Sequence, residues 1–270
     1  MIRIQKSAEP QVLIENKEQW TNNLMELVAK YKGYNKIPPK IRDAAIRYYK
    51  HEDIVNALKG NSGNAKCVYC ESYVDVTCYA NIEHYHPKSI YPNETFCWDN
   101  LFVGCTRCNT PKNSFDTGQE PFVHPVEDAP EEYLTFDDIM YAPKYVEGES
   151  FEKAKNVIES CDLKRISLIQ AHALILVSYM KSCKALTKSL EEYNNHRSTS
   201  AKQKDALSIY LALITLKNEA SDDAQYAGFM RYLLRKSPEV RDAVQIVNQH
   251  KDDIGLANDF DWGFSFDANI

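Results

Sequence analysis

Two CxxC knuckles, Cys67-Val-Tyr-Cys70 and Cys105-Thr-Arg-Cys108, stand 34 residues apart in this chain. Each can place two thiolates on one side of a tetrahedral Zn²⁺ with Zn–S near ~2.3 Å, and two knuckles close such a site. The segment between them has few large aliphatic side chains from which to build a core. Metal binding there is therefore folding free energy, and one structural Zn²⁺ on Cys67, Cys70, Cys105 and Cys108 is expected. Cys78, Cys97, Cys161 and Cys183 lack partner spacing and read as small apolar residues.

The compartment supports metal over disulfides. Met1-Ile-Arg-Ile-Gln-Lys has no apolar run of a signal peptide, and the reading is a cytoplasmic protein, where regularly spaced cysteines point to metal. The longest apolar stretch, Ala171 to Met180, contains His172 and Ser178 and falls short of the ~20 residues that cross a bilayer, so no membrane partner is expected.

Periodicity predicts a mostly α chain with a small α+β insert. Asn16 to Tyr31 places Trp20, Leu24, Leu27 and Val28 on one face, and Pro38-Pro39 opens a second helix through Ile41, Ala45, Tyr48 and Tyr49. Asn61-Ser62-Gly63-Asn64 reads as a loop. Val74 to Ile82 and Leu101 to Gly104 read as short strands, and Thr117 to Glu149 as an irregular acidic wrap. Helices follow to about Lys251, with a break near Asp162, a helix over Asp222 to Arg235 capped by Ser221, and a last one capped by Ser237-Pro238. The division expected is a helical arm at 1–64, a zinc-stapled core at 65–118, an acidic wrap and helical domain at 119–252, and an acidic-aromatic tail at 253–270. The tail's Phe260, Trp262, Phe264 and Phe266 suit docking on a partner or on the arm.

Between the knuckles lie Glu83-His84-Tyr85-His86-Pro87-Lys88 and Trp98-Asp99-Asn100, with Asn109 and Lys112 in and after the second knuckle. Hydrolysing a phosphodiester needs a hard cation on the phosphate and a base for the attacking water. Glu83 and Asn109 offer the oxygen ligands Mg²⁺ or Mn²⁺ prefers. His84 has the pKa range of a general base, and Asn100 can fix its ring through a side-chain or backbone oxygen. His86, Lys88 and Lys112 are candidate phosphate contacts.

These residues resemble the HNH nuclease motif: an acid–histidine pair (Glu83-His84), a middle asparagine (Asn100) and a last metal ligand in the second knuckle (Asn109). The resemblance implies a ββα-metal fold in which His84 activates water, Glu83 and Asn109 hold one divalent ion, and Asn100 orients the base. A longer stretch is similar to the retron- and Septu-type HNH nucleases of bacterial anti-phage defence. It runs through Cys67-Val-Tyr-Cys70-Glu71, Tyr91-Pro92, Trp98-Asp99-Asn100-Leu101 and, more weakly, His124 to Glu131. That likeness implies an ABC/SMC-like ATPase partner, and in a retron a reverse transcriptase with its DNA–RNA product. Pro111 and Asn113 depart from the motif at the helix.

A net charge of −6 argues against broad nucleic-acid affinity, yet the charge is uneven. Lys30 to Lys66 carries nine Lys/Arg against three acids, whereas Asp116 to Glu152 carries eleven acids against Lys144 alone. The basic arm, with Tyr31, Tyr34, Tyr48 and Tyr49 interleaved, can grip phosphates and stack on bases, or turn its tyrosines to the core. Two other functions stay open: a non-catalytic zinc-knuckle module binding nucleic acid or protein, and an RNase acting on tRNA with the same residues.

Overall fold

The computed structural model, which describes residues 1–61, 65–74 and 80–263, is a mostly helical chain with two small two-stranded sheets. Ser62, Gly63 and Asn64 of the expected loop, Cys78, and Phe264 and Phe266 of the tail lie outside those residues. The chain divides into two units, Met1–Leu168 and Ile169–Ile270.

In the first unit, α1 (Gln11–Tyr31) stops where Lys32 turns left-handed (φ 58°) and Gly33 follows at φ 141°. Then come α2 (Pro39–Ile46), a 3₁₀ turn at Arg47–Lys50 and α3 (Glu52–Asn61). The tyrosines of this arm turn inward. Tyr34 and Tyr49 are buried, and Tyr48 stacks on Trp20 with ring centroids 4.8 Å apart. The core reading thus holds for Tyr34 and Tyr49, while Tyr48 and Tyr31 are half-buried.

β1 (Ala80–His84) pairs antiparallel with β2 (Leu101–Cys105), matching Glu83 to Phe102 and His84 to Leu101. Residues 75–79 of the expected strand Val74–Ile82 lie outside the described residues; the strand extends past Ile82 and itself carries Glu83 and His84. Its register follows from the fully buried run Leu101–Cys105 opposite, a constraint that alternation within one strand does not reveal. α4 (Thr106–Lys112) leaves β2 directly, so two strands and a helix form one continuous unit. Pro111 sits in the helix's last turn, and Asn113 follows at φ 45°, a conformation that explains why glycine suits this position.

The acidic segment is not an irregular wrap. It contains α5 (Pro130–Tyr133) and a hairpin of β3 (Leu134–Asp137) and β4 (Met140–Pro143), turning at Asp138 with φ 52°. Leu134, Phe136 and Tyr141 are its buried side chains, and two of its acids lie at the turn. α6 (Glu149–Ser160) and α7 (Ile166–Asn195) are separated at Asp162, φ 48°, where the break was expected.

The second unit packs the rest of α7 with α8 (Thr199–Glu219), α9 (Ala227–Arg235) and α10 (Pro238–Gln249). Leu186, Leu190, Ile209, Leu213, Leu234 and Val247 lie at the centre of its core. The Ser237 hydroxyl accepts from Val240 N at 3.2 Å, the expected cap. Ser221 caps nothing comparable, because α9 begins only after Tyr226, which adopts φ 57°. By length and composition α7 is apolar enough to cross a bilayer, a test that core helices of soluble proteins also pass. The apolar pattern is longer than Ala171–Met180 because the helix runs unbroken for 30 residues.

The tail docks on its own helical unit. Trp262 joins the core, Phe260 meets Tyr210 edge-on, and Phe260 N donates to Asn248 Oδ1 at 2.7 Å. Phe260 and Trp262, two of the aromatics that suggested docking on a partner or on the arm, thus pack on the chain's own helices. Trp262→Ala should lower stability by about 3 kcal/mol, the scale of a large aromatic truncated in a core. Urea unfolding checks this, and an unchanged midpoint would mean that the tail contributes nothing to the core.

Candidate functional site

The sulfurs of Cys67, Cys70, Cys105 and Cys108 all lie within 4.8 Å of one another, and all four residues are buried. Cys70 and Cys105 Sγ are 3.7 Å apart, close to the ~3.8 Å edge of a tetrahedron with ~2.3 Å zinc–sulfur bonds. The donor set therefore fits zinc. Hydrogen bonds from neighbouring thiols hold Cys70 and Cys105 below the ordinary thiol pKa, and Arg165 Nη1 approaches Cys108 Sγ at 3.5 Å. Cys67 and Cys108 are pushed the other way, Cys67 mainly by burial and Cys108 by its neighbouring thiols. In the metal-free chain the four sulfurs therefore share their protons, and only two are held toward thiolate. The first knuckle is fixed to the sheet by Val68 N donating to Val103 O at 3.0 Å. Of the other cysteines, Cys161 is buried as expected, Cys183 half-buried, and Cys97 exposed.

Both knuckles reach Glu83. Tyr69, inside the first, donates to Glu83 Oε1 at 3.1 Å, and Lys112, at the end of α4, pairs with the same oxygen at 2.6 Å. Lys112 also donates to the carbonyls of His84 and Tyr85. It is 1 % exposed, so it is neither a phosphate contact nor a surface lysine. Burial pushes the Glu83 carboxyl above the ordinary range, against the pull of Lys112 and Tyr69. With Oε1 occupied, Oε2 remains for a ligand. A Cβ placed on Gly104 would meet Glu83 Cβ at 3.2 Å and Asn109 Cβ at 3.8 Å. The two oxygen-bearing side chains thus leave the backbone on either side of one glycine, and the Asn109 amide makes no hydrogen bond among the described residues.

His84 is buried, with Nε2 3.0 Å from the Thr95 carbonyl and Nδ1 lacking any protein partner. A carbonyl only accepts, so Nε2 carries the proton and Nδ1 presents its lone pair. The oxygen fixing the ring belongs to Thr95 and not to Asn100. Asn100 acts one step back: its Oδ1 accepts from His86 N at 2.6 Å and its Nδ2 donates to the carbonyls of His86 and Glu94, each at 3.1 Å. This ties down the turn that presents Thr95. His86 serves the same turn through a 2.7 Å Nδ1–Glu94 contact. Lys6, which the sequence gave no reason to notice, donates to the Leu101 carbonyl at 2.8 Å and to that of Trp98, beside Asn100. Burial lowers its pKa to about 8.

Glu83, His84, Lys88 and Asn109 line one cleft of about 340 Å³, whereas His86 and Lys112 do not. Its opposite wall is the arm: Tyr34, Arg42, Asp43, Ile46 and Tyr49. The Tyr49 ring meets His84 edge-on at 4.8 Å. Sequence periodicity could not show this, because the contact joins residues 35 positions apart.

Two predictions follow from this geometry. Metal analysis of the purified chain should return one zinc, and Cys105→Ser should yield poorly soluble protein without it; folded protein free of zinc would refute the staple. Burial holds the His84 pKa near 3, far below the usual 6.5. The ring should therefore remain neutral, with Nε2 protonated, down to about pH 4 in NMR titration without added divalent ions. The unfolded chain takes up that proton below 6.5, so this group contributes stability above pH 6.5 and loses it as pH falls toward 3. An imidazolium signal from folded protein at pH 6 would overturn it.

No family model matches the chain. It is 30% identical over 133 residues to Septu protein PtuB of Bacillus thuringiensis, covering 48% of this chain and 49% of that one. It is 34% identical over 168 residues to Septu protein PtuB of Bacillus mycoides (strain KBAB4), covering 51% and 55%. The chain spans about half the length of these curated relatives. The Septu-type likeness read from the motifs thus holds, and over that half the chain is a relative of the Septu PtuB proteins.

Proposed function

We propose that the chain is a metal-dependent endonuclease of HNH type, with β1, β2 and α4 as its ββα-metal unit, acting in anti-phage defence in the bacterial cytoplasm. One observation carries the reading: a buried imidazole, its Nε2 tied to a backbone carbonyl and its Nδ1 bare, in a cleft with Glu83 and Asn109. A histidine held in one tautomer with its lone pair unpartnered, beside the second oxygen of Glu83 and the Asn109 amide, suits base catalysis better than packing. His84 Nδ1 takes the proton of the attacking water. Glu83 Oε2 and the Asn109 amide oxygen would hold Mg²⁺ or Mn²⁺, which supplies charge neutralisation at the phosphate and the leaving oxygen. Thr95, Asn100 and Tyr49 orient the imidazole, while Lys112 and Tyr69 orient the carboxylate. His84 is neutral throughout the neutral range and needs no deprotonation there. Its pKa near 3 in the metal-free chain lies below the range expected of a general base, so its basicity in catalysis has to be raised by the charges that substrate brings. The likeness to Septu PtuB supports the defence role; an ATPase partner of ABC/SMC type and a retron reverse transcriptase are proposed on the motif resemblance alone.

His84→Ala should keep its zinc and melting temperature while losing about 10²–10⁴-fold in cleavage of nucleic acid, the contribution of a positioned base. Glu83→Ala and Asn109→Ala should raise the Mg²⁺ or Mn²⁺ concentration needed for half-maximal cleavage. The assay uses plasmid, single-stranded DNA and total tRNA, with the partner subunit present. Wild-type cleavage by folded His84→Ala protein would leave the non-catalytic zinc-knuckle module as the better reading.

A further inference from the structure

The cleft has two walls of separate origin, and each carries a cation without a buried counter-ion. Lys88, on the loop after β1, makes no hydrogen bond or ion pair among the described residues; its ammonium lies 5.8 Å from the Tyr49 ring. Arg42, on α2, faces the Tyr34 ring at 5.5 Å. Its nearest carboxylate is that of its neighbour Asp43, 3.7 Å away and 69 % exposed. Lys50 and Lys112 also act electrostatically on Lys88, with Glu83 opposing them. Two carboxylates line the cleft beside Arg42 and Lys88: Glu83, whose Oε1 is taken by Lys112, and the exposed Asp43, which leaves Lys88 without an ion pair among the described residues.

Lys88, with no ion pair among the described residues, and Arg42, whose carboxylate partner is exposed, together favour an anion in this concave polar site. The chemistry of that anion is bounded by what surrounds it. Tyr34 and Tyr49 are buried, at 6 % and 7 % exposed, so their rings support the cations from below and offer no face to a base. What the two walls present together is charge and N–H donors, the recognition set for phosphate.

We infer that Arg42 and Lys88 form a phosphate subsite, one link along the chain from the bond that His84 is placed to hydrolyse, so that the N-terminal arm binds substrate across the cleft from the two strands and helix. The inference rests on the nuclease reading and deepens it: the substrate is a polynucleotide held by consecutive phosphates without base recognition at this position. Arg42 is a binding residue here, contributed by a segment outside the motif that carries the chemistry.

The test is binding of the full-length protein, without divalent ions, to a 12-nucleotide phosphorothioate DNA and to RNA of the same sequence, across a salt series. Arg42→Gln, which keeps a stem to pack on Tyr34, should weaken binding about tenfold and reduce the salt slope by about 0.7, the value of one phosphate contact on a single strand. Arg42→Lys should keep the slope. A neutral methylphosphonate scanned along the DNA should cost wild type the same factor at one position and cost Arg42→Gln nothing further there. The effect on both polymers, or on one of them, supports the subsite and identifies the substrate. Unchanged affinity and slope in a folded Arg42→Gln protein would overturn it, as would a wild type that does not bind either oligonucleotide at low salt. If Arg42→Gln loses zinc or melts early, Lys88→Gln takes its place with the same expected outcomes. The nuclease reading is decided separately, by His84→Ala cleavage, so the two failures are distinguishable.

Discussion

Four sulfurs within 4.8 Å of one another govern the position of nearly everything around the cleft. Closing them on one ion brings together a turn at residues 67–70 and the first turn of α4, which share no other short-range connection. The first turn carries Tyr69 and the second leads to Lys112, and these two side chains converge on a single oxygen of Glu83. A staple that is structural by chemistry thus sets the direction of a carboxylate it never touches. Zinc suits this task because its four-coordinate site is complete with protein ligands and leaves no position for substrate.

The Glu83–Lys112 pair shows what such a framework has to offset. An ammonium and a carboxylate taken fully out of water lose several kcal/mol of hydration each, and their mutual attraction recovers this only with good geometry and further partners. Lys112 has three acceptors: Glu83 and the carbonyls of His84 and Tyr85. Two of them belong to the strand end that bears the imidazole. The same ammonium that fixes the Glu83 carboxylate therefore fixes the backbone of His84, and one side chain ties the two residues together.

Much of this was legible in the sequence, and the limits have physical reasons. The knuckles, the Glu83-His84 pair, Asn109 and the break at Asp162 follow from spacing and local propensity, which are properties of neighbouring residues. The strand register was missed because it depends on a partner twenty residues away. Thr95 took the part expected of Asn100 because a motif records which residue types are present, while a backbone carbonyl that accepts from an imidazole can be supplied by any residue. Lys112 was read as surface because lysine is rarely buried, and nothing in sequence announces that three acceptors await it. Lys6, Tyr49 and Arg42 lay outside the motif and are brought to the site only by the fold. The tail's aromatics were correctly read as needing cover, but the cover comes from Tyr210, Asn248 and the adjacent core.

An acidic chain can still be shaped to receive a polyanion, because screening makes charge a local property. At physiological ionic strength the Debye length is about 8 Å, so exposed acids farther off than that contribute little at the cleft. Several acids nearer the site are also already committed: Asp128 to Lys153, Glu94 to His86, and Glu83 to Lys112. What a phosphate would meet is the residue of this pairing, a small set of cations on two walls. Affinity built from so few charges is modest and strongly salt-dependent. If the site is the proposed nuclease, it would cleave little at random, and its output would depend on whatever raises the local concentration of substrate. A partner subunit that delivers nucleic acid would therefore control the activity without altering the chemistry of His84.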